Sequence, residues 1–437
     1  MVKISFLGAC REVGRSAVLI ESKGGTKCML DYGVRFHEDN RLPFEADLTG
    51  LKAVALTHCH VDHSGAIPLL YRNGNLAFFT NPVTLAITKI LLKDMLRISN
   101  YNYPFGYAEL KKMIKNSRFL QNNYRQKIGN DFYITYFNAG HIPGSISILV
   151  EVDGKNIIYT GDINTKETNL VNALDSNDSI GKKRLDALII ESTYAIKKHS
   201  PREELEKQLI EKIIDTISNG GRVLIPAFGV ARSQEALLIL EKYNYRGKIF
   251  LDGMARKVSR IYLEHLNSLK NKTLYKNAIK KAQFISRRRM RDYAKKANGV
   301  IIAPSGMLKG GASINYGKTL ARDPLSAIYL VGYQVEGTPG RGLIDDGILE
   351  FHENDQRRNF INDFKIKAQC DYAYFDFSSH SDGPQLRQYI DGLKFKDETG
   401  NIFCVHGEEE AATKLASELV KKNHNSVAPE TGETYII

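Results

Sequence analysis

No stretch of 18 or more consecutive apolar residues occurs in the 437-residue chain, so nothing in it is long enough to cross a bilayer as a helix. The opening MVKISFLGAC reads as a strand running into a glycine turn and lacks the basic, apolar and small-residue succession of a secretory signal. Cysteine is scarce. The five residues Cys10, Cys28, Cys59, Cys370 and Cys404 are odd in number and never spaced C-x-x-C, so reduced, buried thiols are expected, as in a cytoplasmic protein. Internal repeats and low-complexity tails are absent as well.

What is present supports a sizeable core: 43% of residues are apolar, and the length suits two or three domains, or one domain with a large insertion. The formal charge is +12, and between Arg260 and Val300 twelve Lys or Arg face only two acids, Glu264 and Asp292. Lys280-Lys281, Arg287-Arg288-Arg289 and Arg291 lie there, interleaved with Tyr262, Tyr275, Phe284 and Tyr293. This is either a solvated helical face or the electrostatic footprint of a polyanion.

The first 195 residues read mainly as short strands broken by glycine, with a helix over 82–98 and a hairpin turning at Asp153-Gly154. From about residue 200 the pattern alternates: a capped amphipathic helix after Ser200-Pro201, the strand RVLIPAF, a helix, the strand KIFLDG, a helix, then VIIAPSG and AIYLVGY. Such alternation implies a parallel sheet covered by helices. The final segment offers AYFDFSSHSD, NIFCVHGEE and a helix from about 408 to 422.

Chemistry concentrates in LTHCHVDHSGAIP. His58, His60, Asp62 and His63 form H-x-H-x-D-H directly after an apolar strand. Imidazole nitrogen and carboxylate oxygen suit zinc, and residues on a turn at a strand end can face two neighbouring ions. Asp31, His141, Asp162 and His406 each sit at another strand end. One such histidine would ordinarily be a packing or surface residue; four such positions beside H-x-H-x-D-H read together as a metal site.

These residues resemble the metallo-β-lactamase superfamily and, within it, the β-CASP nucleases, the group that includes the nuclease subunit of the cleavage and polyadenylation specificity factor and its archaeal and bacterial counterparts. H-x-H-x-D-H matches the second superfamily motif, and Asp31, His141 and Asp162 match the first, third and fourth. Glu191 in IIESTY, His380 in SSHSD and His406 in VHGE match the three β-CASP motifs, and REVGRS, IPAFGVARSQE, LDGMARKV, APSGM and GYQVEGTPGRG are similar to family stretches. The resemblance implies an α/β protein: an αββα metallo-β-lactamase fold (1–195 and 371–437) with an inserted β-CASP domain of parallel-sheet type (196–370). It implies two zinc ions per chain, one held by His58, His60 and His141, the other by Asp62, His63 and His406, with Asp162 bridging and Asp31 orienting a ligand or water. Zinc is preferred to manganese because histidines dominate the set.

The implied activity is hydrolysis of RNA phosphodiesters, as endonuclease or 5′-to-3′ exonuclease, by a two-metal-activated hydroxide. Asp62 would orient the nucleophile, and His380, backed by Glu191, would protonate the leaving oxygen. His406 at the last motif accompanies RNA-cleaving members, so single-stranded RNA is expected ahead of DNA. Ser305, Ser378 and Ser379 are candidate substrate contacts. A homodimer or a place in an RNA-processing complex stays open. Two rivals are a small-molecule metallo-hydrolase, which the basic stripe and the Glu191/His380/His406 set disfavour, and a non-catalytic RNA-binding scaffold, which the complete ligand set disfavours.

Overall fold

Strand alternation accounts for the larger of two compact units. The computed structural model describes residues 1–35, 41–72, 74–175, 183–355, 360–397 and 399–437. One unit comprises Met1–Glu167, Val171–Lys198 and Ser379–Ile437; the other comprises Thr168–Leu170 and His199–Ser378.

In the first unit two seven-stranded sheets face each other. One runs in the order Thr434–Ile436, Lys3–Gly8, Ala17–Glu21, Lys27–Leu30, Leu51–Ala55, Ala77–Thr80, Ser117–Phe119. The other runs Asn425–Val427, Asn401–Val405, Ala187–Glu191, Lys155–Tyr159, Ile146–Val152, Phe132–Asn138, Arg125–Gly129. Alternate residues point inward: Ile4 and Phe6, Val18 and Ile20, Cys28 and Leu30 meet Ile148 and Val150, Ile157 and Tyr159, Phe403 and Val405 in one core. The opposite faces pack under helices. Met29, Val54 and Phe78 meet Leu92 and Met95 of the helix Pro82–Ile98, while Leu188, Ile190 and Cys404 meet Leu386 and Leu415. The result is the αββα sandwich. Pro82 opens its helix at the first position, where a missing N–H costs nothing, and Asn81 accepts the Thr84 N–H at 3.0 Å as cap. Asp153 and Gly154, both at positive φ (48° and 78°), make the tight hairpin turn.

The second unit is built on a six-stranded sheet that is parallel throughout, in the order Ala282–Phe284, Lys248–Leu251, Gly299–Ala303, Val223–Pro226, Ala327–Leu330, Asp371–Tyr374. Its central strands Gly299–Ala303 and Val223–Pro226 are buried at every position, the mark of a sheet covered on both faces. The helix Arg202–Ser218 departs from expectation at its start: Pro201 holds the cap position and gives no side-chain acceptor. Glu203 and Glu204 in the first turn supply the negative charge that end favours. All five cysteines are buried free thiols. Among the described residues no helix is long and apolar enough to cross a membrane.

Candidate metal centre

The polar residues of the centre, His380 in its loop apart, lie at or just past strand ends of the first unit. Asp31 follows Lys27–Leu30 in a left-handed conformation (φ 57°), and His406 follows Asn401–Val405 in another (φ 50°). Residues 57–60 follow Leu51–Ala55, and the short helix Val61–Ser64 then carries Asp62 and His63. His141 lies beyond Phe132–Asn138, Asp162 beyond Lys155–Tyr159, and Glu191 closes Ala187–Glu191. Gly33 must be glycine: a Cβ there would sit 1.7 Å from the carbonyl oxygen of Asp62.

Two groups of donors result. In the first, His58 Nε2 lies 3.0 Å from His60 Nδ1, His60 Nδ1 lies 3.4 Å from His141 Nε2, and Asp162 Oδ2 lies 3.5 Å from His58 and 3.7 Å from His141. In the second, His406 Nε2 lies 3.3 Å from His63 Nε2 and 3.4 Å from Asp62 Oδ2. Within each group, one donor atom per residue lies within 4.8 Å of every other. Asp162 faces both: its other oxygen, Oδ1, is 3.4 Å from His63 Nε2 and 3.2 Å from His406 Nδ1. That Oδ1 is buried and accepts no hydrogen bond. A buried carboxylate oxygen left without a hydrogen bond is costly, and a cation between the imidazoles relieves that cost. A third grouping of Asp162, Glu191 and His406 meets the same distance test. Its Glu191 oxygens are already engaged, so it fits an ion less well.

The charges suit metal binding. Burial, reinforced by neighbouring imidazoles, holds His58 and His141 well below the usual histidine range, and burial brings His60 down to about 4. All three are therefore neutral near pH 7, with lone pairs available. His63 behaves oppositely. Burial pushes it down, but the carboxylates of Asp162 and Asp31 outweigh that and raise it well above the usual range. Burial opposes the charge on Asp62 and Asp162, yet the surrounding histidines hold both below the ordinary carboxylate range.

A second layer orients these groups. Asp31 Oδ2 accepts from His63 Nδ1 at 2.7 Å, the Thr57 hydroxyl at 2.7 Å and the Tyr159 hydroxyl at 2.9 Å, while Oδ1 accepts the Thr57 N–H at 2.7 Å. His141 Nδ1 donates to the Ser379 carbonyl at 2.9 Å. Glu191 accepts the Ile163 N–H at 2.7 Å and the Thr193 hydroxyl at 2.6 Å, and takes His380 Nδ1 at 2.9 Å. His380 Nε2 then points toward the centre, 4.0 Å from Asp162 Oδ2.

The sequence-predicted residues Asp31, His58, His60, Asp62, His63, His141, Asp162, Glu191, His380 and His406 are thus gathered in one place. Ser379 is buried beside them and contributes its backbone carbonyl. Ser378 and Ser305 belong to the other unit. There the Ser378 carbonyl accepts from Arg202 at 2.7 Å, and the Ser305 hydroxyl accepts the Gly310 N–H at 3.1 Å, closing its own loop. Sequence reasoning missed Thr57, Tyr159 and Thr193. Only their adjacency to the motifs, Thr57 before His58 and Thr193 two residues past Glu191, signals them.

Residues 10–191 match the family described as metallo-beta-lactamase superfamily, 233–343 the Beta-Casp domain, and 365–429 the Zn-dependent metallo-hydrolase RNA specificity domain. The chain is 35% identical to "Probable RNase MJ4" of Methanocaldococcus jannaschii, covering 99% of both chains. It is 34% identical to "RNase aCSPSF2" of Saccharolobus solfataricus over 98% of this chain and 84% of that one. It is 33% identical to "Endoribonuclease ysh1" of Schizosaccharomyces pombe over 96% of this chain and 56% of that one. A solved structure of a protein of unknown function from Enterococcus faecalis V583 shares the fold over the full length of both chains, with a TM-score of 0.63 at 13% identity.

Proposed function

Because this chain belongs to the β-CASP branch of the metallo-β-lactamase superfamily, we propose that it is a metal-dependent ribonuclease cleaving single-stranded RNA at the centre described above. The observation that carries this reading is Asp162, whose two oxygens face two separate histidine-rich donor groups, one oxygen buried without a hydrogen bond. His58, His60 and His141 would hold one zinc ion, Asp62, His63 and His406 the other, and Asp162 both.

Bound zinc supplies Lewis acidity, polarising a phosphoryl oxygen and making water more acidic. The chain's own residues do the rest. Asp31 fixes the His63 ring by taking its Nδ1 proton in a hydrogen bond, and the Ser379 carbonyl does the same for His141. That leaves the opposite nitrogen of each ring facing the ion positions. Asp62, part-exposed where most of its neighbours are buried, can accept a proton from attacking water. His380 is held by Glu191 through Nδ1. That bond turns Nε2 toward the centre, the position from which an imidazole N–H would give a proton to the departing 3′-oxygen.

The test uses 5′-labelled and 3′-labelled single-stranded RNA, the same sequence as DNA, and a His58→Ala/His60→Ala variant. RNA cleavage that disappears in the variant is the expected result, and comparing the labels separates internal cuts from end degradation. Turnover of a lactam or thioester with intact RNA throughout would overturn the assignment.

A further inference from the structure

Between His265 and Arg291 the chain carries nine Lys or Arg and no Asp or Glu. The structure shows where that charge goes. The helix Lys272–Lys281 buries Tyr275 and Ala278 and exposes Lys272, Lys276 and Lys280. These are four residues apart and therefore share one face, about 6 Å per step. Lys281 pins the helix by its ion pair with Glu241 at 2.5 Å. Next comes Ala282–Phe284, the edge strand of the parallel sheet, and then Arg287, Arg288 and Arg289, all exposed. Among the described residues, Lys276, Lys280 and these three arginines have no ion-pair partner.

The helix Arg288–Ala294 that carries two of the arginines is firmly seated. Arg291 reaches buried Asp252 through two bonds, 2.7 and 3.1 Å, and the Tyr316 hydroxyl donates to the same carboxylate at 3.0 Å. Tyr293 packs edge-on against Phe250 and accepts from Lys248 at 2.8 Å, while remaining 49% exposed. Like charges lined up without partners oppose folding, so a rigid frame that presents them outward is matched to an external anion.

We propose that the strip formed by Lys272, Lys276, Lys280, Arg287, Arg288 and Arg289, bordered by the Tyr293 ring, is a second RNA-binding surface. It grips the phosphate backbone of single-stranded RNA without regard to sequence. RNA as occupant rests on the ribonuclease reading; the strip's affinity for a polyanion does not. Backbone contacts position a strand and carry no base information, and a half-exposed aromatic ring beside them gives a base something to stack on.

The test measures binding of a labelled single-stranded RNA of about 30 nucleotides to the full chain kept metal-free by chelator, using fluorescence anisotropy across a salt series. Each phosphate contact to a single strand contributes about 0.7 to the slope of log affinity against log salt, so Arg287→Gln/Arg288→Gln/Arg289→Gln should flatten the slope by about 2. The gap between wild type and variant then narrows about 20-fold between about 50 and 200 mM salt. Arg287→Lys/Arg288→Lys/Arg289→Lys should restore the slope, which separates charge from misfolding. A charge-matched control, Lys93→Gln/Lys111→Gln/Lys115→Gln on exposed positions of the other unit, should leave it as in wild type. An unchanged slope in the arginine variant, or an equal loss in the control, overturns the proposal. Because binding is read without metal, a protein that binds RNA through this strip yet cleaves none would sink the ribonuclease reading and leave this one standing.

Discussion

Replacing Asp31 by asparagine isolates what the second layer contributes. Asp31 is fully buried and accepts four hydrogen bonds, three at Oδ2 and one at Oδ1. Asparagine keeps the shape but turns one acceptor into an NH2 group. Placed at Oδ2, that group would confront three donors; placed at Oδ1, it confronts only the Thr57 N–H. The second orientation therefore wins, and one buried N–H is left unpaired, costing about 1–3 kcal/mol of stability. The larger effect is on metal. In that orientation His63 Nδ1 keeps an oxygen acceptor but loses its negative charge, and outer partners of this kind typically account for 10–100-fold in metal affinity, about 1.4–2.8 kcal/mol. Zinc titration of the metal-free variant against a competing chelator should show one weakened site, that of Asp62, His63 and His406, and one unaffected site. Urea unfolding of the metal-free protein reports the stability loss separately. Wild-type affinity at both sites, or weakening at the His58/His60/His141 site instead, would refute the reasoning.

Four further outcomes are expected. His380→Ala should lower single-turnover RNA cleavage by about 10²–10⁴-fold while zinc stoichiometry stays unchanged; loss of zinc instead would make His380 a ligand. Chelator should abolish cleavage and added zinc should restore it, with recovery by magnesium alone counting against a histidine-held ion. Gly33→Ala should cost metal and activity together, because the new Cβ would overlap the Asp62 carbonyl; full zinc content by elemental analysis would contradict this. Glu235→Ala should lower the urea midpoint. Its buried carboxylate takes Asn169 N–H at 3.0 Å, Leu170 N–H at 3.0 Å and Arg202 at 3.2 Å, and breaking a buried pair of this kind costs about 3 kcal/mol or more.

H-x-H-x-D-H was legible because four ligand-type side chains crowd six positions, a density that packing does not produce. Asp162, Glu191 and His406 are ordinary strand-end residues when taken singly, and only the motif order gathers them. The Glu191–His380 pair spans 189 residues, a contact that no local pattern reveals. Tyr159 closes the strand that leads to Asp162, but nothing local says that its hydroxyl reaches Asp31. The parallel sheet showed itself through buried runs such as Val223–Pro226, whereas the edge strand Arg125–Gly129, RQKIG, has too little apolar periodicity to be seen. Charge counting found the basic stripe; the ion pairs that pin Lys281 to Glu241 and Arg291 to Asp252 and leave Lys276 and Lys280 outward required the fold.

His406 meets His63 at 3.3 Å across 343 residues of chain, and the strand that delivers it pairs with Ala187–Glu191. At about 5–20 residues per second, a ribosome needs about 20–70 s to travel from one to the other. For all of that time the histidine cluster lacks the partner that completes it. The donor group of Asp62 and His63 therefore closes only after every residue of the second unit has been made, so its assembly waits on a strand that the chain delivers near its end.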